Sequence, residues 1–251
     1  MKRVILVGSP RSAGRSAPVA EMLCEANIDE RPEDELVLVP VSEIEVGPCV
    51  GCNACRTLAE VVVADEDGTE HTDMLPRCVF DDDMQTLYDL LDDADELTIV
   101  SPVYFSGAPS MLKCVLDRMQ PYFWADTRKA PKRPATLHVL GEGGDPHGFD
   151  PLVSEVKSSV ACAGFRLDRV FDWVGKVNEQ GEITTEADVI DIAKGKASGP
   201  AERTQPPSSR KQGNATGKTG GRSSADKPAK PANDRPKLDL SAGQKKGKRR
   251  G

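Results

Sequence analysis

The sequence predicts an α/β protein, a doubly wound five-stranded parallel sheet with helices on both faces, followed by a C-terminal tail without a core. Three observations predict it. Short β-branched and aliphatic runs, apolar on both faces as central parallel strands are, alternate with segments of helical periodicity. Each run leads into a loop rich in Gly, Pro and small polar residues, which is where such sheets bind ligands. The composition then changes abruptly after Gly195.

Residues 2–8 (KRVILVG) read as the first strand. After the polar turn SPRSAGRS, Val19, Met22, Leu23 and Ala26 recur at helical spacing. Residues 35–40 (ELVLVP) form a second buried strand. A cysteine-rich loop, 47–80, leads to a helix over 81–91 (DDDMQTLYDLL), whose acids sit where the helix dipole favours them. The third strand is 96–100, followed by the loop SPVYFSGAPS and a helix over 110–119. Strand 134–140 runs into GEGGDPHGFD and a helix carrying Leu152, Val156 and Val160, and 165–174 is the last strand. Residues 184–194 (TTEADVIDIAK), a Thr before acidic residues, are expected to close the domain as a helix.

The length of 251 residues suits one domain with an appendage, expected as 1–195 and 196–251. The net charge of -7 hides an asymmetry: residues 201–251 hold 14 Lys and Arg against 4 Asp and Glu, which leaves -17 on residues 1–200 and +10 on the tail. The tail has no aromatic residue and few aliphatics, so it cannot offset its chain entropy and is expected to be disordered. Its charge suits nucleic acid or an anionic surface, though a solvated tail or one folded back on the acidic domain fits equally. Base stacking is not suggested, because no aromatic interleaves the basic residues. No run approaches the roughly 18 apolar residues that span a bilayer. MKRVILVGSPRS turns polar too early for a signal peptide, so a cytoplasmic location is expected. There is no repeat of solenoid period.

The chemistry should sit just after the strands. Gly8 to Ser16 (GSPRSAGRS) supplies backbone amides, three hydroxyls and two guanidinium groups at a helix start, a receptor suited to phosphate. It matches neither GxGxxG nor GxxxxGK[ST], which counts against dinucleotide and nucleoside triphosphate sites. An ordinary capped turn is the plainer alternative, but two arginines there in so acidic a domain call for an anion. The run Pro102, Val103, Tyr104 and Phe105 suits a flat aromatic ligand, or else plugs the core. Gly141, Gly143 and Gly144 allow close backbone approach, or make a turn with no ligand.

Seven cysteines in a reducing compartment point to metal or redox chemistry before disulfides. Cys49, Cys52 and Cys55 form CxxCxxC, three thiolates that can wrap one face of an iron-sulfur cluster, and Cys78, after 22 intervening residues, is the natural fourth ligand. A zinc site or metal-free thiols are the alternatives. Cys24, Cys114 and Cys162 fall in helices and read as buried small hydrophobes.

KRVILVGSPRSAGRS, PCVGCNAC, CVFDDDMQTLYDLLDDADELTIVSPVYF and LKCVLDR, in that order, resemble the NADPH-dependent FMN reductase family and especially its iron-sulfur flavoprotein branch, over residues 1–194. The resemblance implies a flavodoxin-like fold that binds FMN. By position, Ser9, Arg11, Ser12 and Ser16 would hold the phosphate, with Gly14 and Arg15 shaping the loop. Pro102, Val103, Tyr104 and Phe105 would line the isoalloxazine, with Gly143 and Gly144 at its other edge. Cys49, Cys52, Cys55 and Cys78 would bind a [4Fe-4S] cluster. The implied activity is an FMN-dependent oxidoreductase taking electrons from NAD(P)H or a reduced carrier, with the cluster relaying them to an acceptor that the sequence does not name. No side chain is nominated as an acid or base. A noncatalytic electron carrier whose acidic surface docks a basic partner is the second reading. The family also implies a dimer or larger assembly.

Two features depart from the family pattern. Arg15 stands where members often have Asn. The interval from Cys55 to Cys78 is long, and its residues 57–76 (TLAEVVVADEDGTEHTDMLP) carry six carboxylates and no Lys or Arg. Loop closure grows only slowly more costly with length, so an exposed insertion can leave Cys78 in place.

Overall fold

A computed structural model describes residues 1–192 apart from 58, 65–67 and 126. The expected boundary at 195 and the basic tail 196–251 lie outside the described residues. The chain runs β1 (Lys2–Val7), α1 (Ser16–Glu30), β2 (Glu35–Pro40), β3 (Ala59–Ala64), β4 (Glu70–Leu75), α2 (Met84–Asp93), β5 (Glu96–Pro102), α3 (Ser110–Asp117), α4 (Gln120–Trp124), β6 (Arg133–Leu140), α5 (Asp150–Cys162), β7 (Phe165–Asp172) and β8 (Asp188–Asp191). No described helix is long and apolar enough to cross a membrane.

The main sheet has the order β2-β1-β5-β6-β7-β8. Its first five strands are parallel, as expected from their apolar runs, with β1 paired to β2 on one side and β5 on the other. The sixth corrects an expectation: 184–194 does not close the domain as a helix, because Asp188–Asp191 pairs antiparallel with β7. The reason is that every side chain of β8 is exposed. The segment buries none of these side chains, so packing does not hold it as a helix, and an edge strand needs only the free hydrogen-bonding side of β7.

Helices cover both faces unequally. On one face α2, α3 and α5 bury Leu87, Leu91, Leu112, Val115, Leu116, Leu152, Val156 and Val160 against Leu6, Ile99, Leu137 and Val139. On the other, Val19 and Ala20 of α1 pack with Ile5, Val7, Val100 and Leu140, joined by Trp173 and Val177 beyond β7. The helical spacing of α1 is present, but Met22 and Leu23 are only half-buried and Ala26 is exposed. Cys24, Cys114 and Cys162 are likewise half-buried rather than core residues.

The long Cys55–Cys78 interval contains the second sheet. Strands β3 and β4 form an antiparallel hairpin in register from Ala64↔Glu70 to Ala59↔Leu75. The hairpin returns the chain to its point of departure, which is how an insertion leaves the flanking cysteines near one another.

Two packing details carry consequences. A Cβ added at Gly8 would lie 2.6 Å from Cδ2 of the fully buried Leu112. Gly8→Ala is therefore expected to lower stability by about 1–3 kcal/mol in urea unfolding, as overpacked cores do. His138 of β6 stacks on Phe171 at 4.4 Å, and its Nδ1 accepts the indole N–H of Trp173 at 3.0 Å. Burial, aided by the Arg169 cation, pushes its pKa down to about 4. The unfolded chain takes up that proton near 6.5 and so binds more protons between these values. Stability should thus fall as pH drops from 6.5 toward 4, by up to ~3 kcal/mol. His138→Gln keeps an acceptor for Trp173 but does not titrate, and should flatten that part of the pH–stability curve.

Candidate cofactor and cysteine sites

At the carboxyl ends of β1, β5 and β6 the loops enclose a cavity of about 490 Å³, within the range of small-molecule sites. This is the switch point of the sheet, where connections from β1 and β5 leave toward opposite faces. Ser9, Arg11, Gly14, Arg15 and Ser16 line it from the first loop, Pro102, Val103 and Tyr104 from the second, and Gly143 and Gly144 from the third. Of the twelve cofactor residues anticipated from the sequence, these ten come together. Ser12 and Phe105 are outside the lining. Ser12 is exposed, and Phe105 is fully exposed at the tip of a tight turn with φ +49.

Local hydrogen bonds hold the first loop. The Ser9 hydroxyl accepts from the Arg11 N–H and donates to the Arg11 carbonyl, both at 3.1 Å. Arg15 donates from Nε to the Val177 carbonyl at 3.0 Å and from its terminal nitrogen to Glu142 at 2.9 Å. It ties three segments of the wall together, while Arg11 has no ion-pair partner among the described residues. The second loop joins the third where the Val103 N–H donates to the Leu140 carbonyl at 2.8 Å. Gly143 and Gly144 have φ of +90 and +86, conformations that glycine adopts without strain.

Sequence reasoning did not name Glu142, Asp145, Phe149, Asp172 and Val174 as site residues; together with Leu140, Gly141 and Gly148 they complete the lining. Asp145 and Phe149 lie in the Gly-rich segment already singled out, and Asp172 and Val174 end or follow β7, so the strand-end rule could have found them. The Asp145 carboxyl is held below its usual range by the His147 backbone N–H and then by the Ser106 hydroxyl.

A second cavity, of about 240 Å³, is lined by all four anticipated thiols, Cys49, Cys52, Cys55 and Cys78, together with Phe80, Arg118, Pro121 and Trp124. None of the four is in a disulfide. The loop curls through Gly51 (φ +65) and Asn53 (φ +60) into a 3-10 turn, Ala54–Arg56. Burial, and then the neighbouring Cys78, raise the pKa of the Cys55 thiol. The thiols share this cavity, yet among the described residues no three His, Cys, Asp or Glu side chains stand in a metal-holding arrangement.

One ion pair anchors this loop. Arg118 donates to Asp82 through both terminal nitrogens, at 2.7 and 2.9 Å, and to the Gly47 carbonyl at 3.1 Å. Asp82 also accepts from the Gly47 and Met84 N–H groups.

Fold and cavity together define an α/β protein of the flavodoxin-like type, with a polar turn and a backbone-walled slot at its switch point. A family model for NADPH-dependent FMN reductase matches residues 1–158, and the chain belongs to that family. It is 30% identical over 121 residues to an iron-sulfur flavoprotein of Methanocaldococcus jannaschii, covering 48% of this chain and 53% of that one. It is 31% identical over 118 residues to an iron-sulfur flavoprotein of Methanosarcina thermophila, covering 47% and 52%. The chain thus spans about half the length of the curated relatives it matches. The crystal structure of RosB with bound 8-demethyl-8-formylriboflavin-5'-phosphate superposes with a TM-score of 0.50 at 16% identity, covering 70% of this chain and 65% of that one, and shares the fold.

The anchoring pair supplies a stability prediction. Arg118 is 1% exposed, so Asp82→Ala strands a buried cation and should cost about 3–5 kcal/mol in urea unfolding. Asp117→Ala removes the partner of Lys113 in an exposed pair and should change stability by less than about 1 kcal/mol.

Proposed function

We propose that the chain is an FMN-dependent oxidoreductase drawing electrons from NAD(P)H or a reduced carrier. The observation that carries this reading is the 490 Å³ cavity in which ten separately anticipated residues from three loops converge. Its chemistry suits FMN. Ser9, Ser16, the Arg11 guanidinium and the start of α1 offer donors to a phosphate, while Pro102, Val103, Tyr104 and the Gly143–Gly144 backbone form a slot for a flat ring. Bound FMN supplies hydride and single-electron exchange; the protein's part is to bind it, orient it and tune it through backbone contacts. No side chain in the cavity is required as an acid or base.

We assign Cys49, Cys52, Cys55 and Cys78 to a [4Fe-4S] cluster, which supplies one-electron storage. Support comes from four reduced thiols around one cavity and from relatives named iron-sulfur flavoproteins. The reading extends to a single-electron acceptor, and to an assembly of more than one chain, as family membership suggests.

The test is anaerobic purification with FMN, iron, sulfide and zinc measured on one sample, followed by steady-state NAD(P)H oxidation. One FMN and about four irons per chain, with turnover of NAD(P)H, are expected. Bound FMN without turnover would favour the electron carrier, and no FMN after reconstitution would overturn the proposal. Arg11→Ala should weaken FMN binding about tenfold or more, the value of a lost hydrogen bond to a charged group. Ser12→Ala, outside the cavity lining, should leave FMN affinity nearly unchanged.

A further inference from the structure

Arg118 is one of the largest fully buried side chains among the described residues, yet one of its three nitrogens has no partner. Its terminal nitrogens serve Asp82 and the Gly47 carbonyl. Its Nε–H is buried and has no hydrogen-bond partner among the described residues. A buried N–H left unpaired costs about 1–3 kcal/mol in ordinary circumstances, so an orphan beside a cavity marks a group expected to be satisfied by what the cavity holds.

The geometry points to the occupant. The guanidinium lies over the Phe80 ring, 5.1 Å from its centroid, and both residues line the cavity of the four cysteines. Among the described residues no other Lys or Arg lines that cavity. Four thiolates gathered there would bring a large excess of negative charge, against which Arg118 is the one cation among the described residues of the wall. Asp82 keeps it in place by bonding both terminal nitrogens, which leaves Nε as the nitrogen without a partner among the described residues.

We propose that Arg118 is a positioning and potential-setting residue of the cysteine site, donating its Nε–H to an inorganic sulfide of a bound cluster. The proposal rests on the cluster assignment above. Hydrogen bonds to sulfur and nearby positive charge stabilise the more negative, reduced form, and so raise the reduction potential. Arg118 touches no reacting atom of a substrate and is not offered as a catalytic residue.

The experiment compares the wild type with Arg118→Lys and Arg118→Met, each purified anaerobically with FMN, iron and sulfide measured. The cluster potential is read by EPR during dithionite titration. Arg118→Lys keeps an ion pair with Asp82 but cannot offer Nε, so it separates the donor from the structural anchor. Arg118→Met should lower the potential by at least a tenfold change in equilibrium constant, about 59 mV for a one-electron couple. Arg118→Lys should move it in the same direction by less. A purely structural role would lower the melting temperature of both variants and leave the potential where it was, and that result overturns the proposal.

Should neither variant hold iron, wild-type protein labelled with 15N at arginine decides it. Coupling of the reduced cluster's electron spin to an arginine nitrogen supports the hydrogen bond, and its absence overturns it. A wild type that takes up no iron after reconstitution overturns the underlying cluster assignment instead, a failure seen before any variant is made.

Discussion

β1 is hydrogen-bonded to β2 on one side and to β5 on the other, and the site depends on that placement. The ladder with β5 runs in register from Arg3↔Glu96 to Val7↔Val100, and the Gly8 N–H extends it by donating to the Val100 carbonyl at 2.7 Å. Because β1 sits between strands reached by crossovers on opposite faces, the loops after β1 and β5 part there and leave a cleft. Val4, Ile5 and Leu6 are buried on both faces, which makes the end of β1 a rigid platform. Gly8 meets Leu112 so closely that the loop must start where it does.

Charge is distributed to the same end. The domain is strongly acidic, but two arginines stand in the first loop and have different tasks. Arg15 spends its donors on Val177 and Glu142, joining the first loop to the third and to the segment after β7. Arg11 is left facing the cavity without an ion-pair partner among the described residues. Arg15 therefore acts mainly through the wall of the cavity, with Arg11 the cation available to a ligand.

The cysteine site is organised around a different interaction. The half-buried Asp82 and the buried Arg118 form a pair that also bonds the backbone at Gly47, where the cysteine loop begins, and at Met84, where α2 begins. The exposed pair of Lys113 and Asp117 holds nothing comparable, because the two are neighbours on one helix face. Placing the cysteine loop thus falls to a few largely buried polar contacts, which also leave the Arg118 Nε without a partner among the described residues.

Chain order and residue pattern were enough for the five parallel strands, the helices between them, the loops that line the main cavity and the four cysteines that share the second. These were legible because apolar runs, helical spacing and turn chemistry are local, and because the strand-end rule converts chain order into position. What the tertiary structure alone decided is what depends on partners distant in the chain. Asp188–Asp191 is a strand because β7 offered an open edge. The residues between Cys55 and Cys78 fold as a hairpin whose pairing brings its ends together. Arg15 became a strut once Glu142 and Val177 lay within reach, and Phe105 turned outward when its backbone took a positive φ. The role of Arg118 emerged only when Asp82, Gly47 and the cysteines were gathered around it, since no spacing in the chain records a buried donor left without a partner.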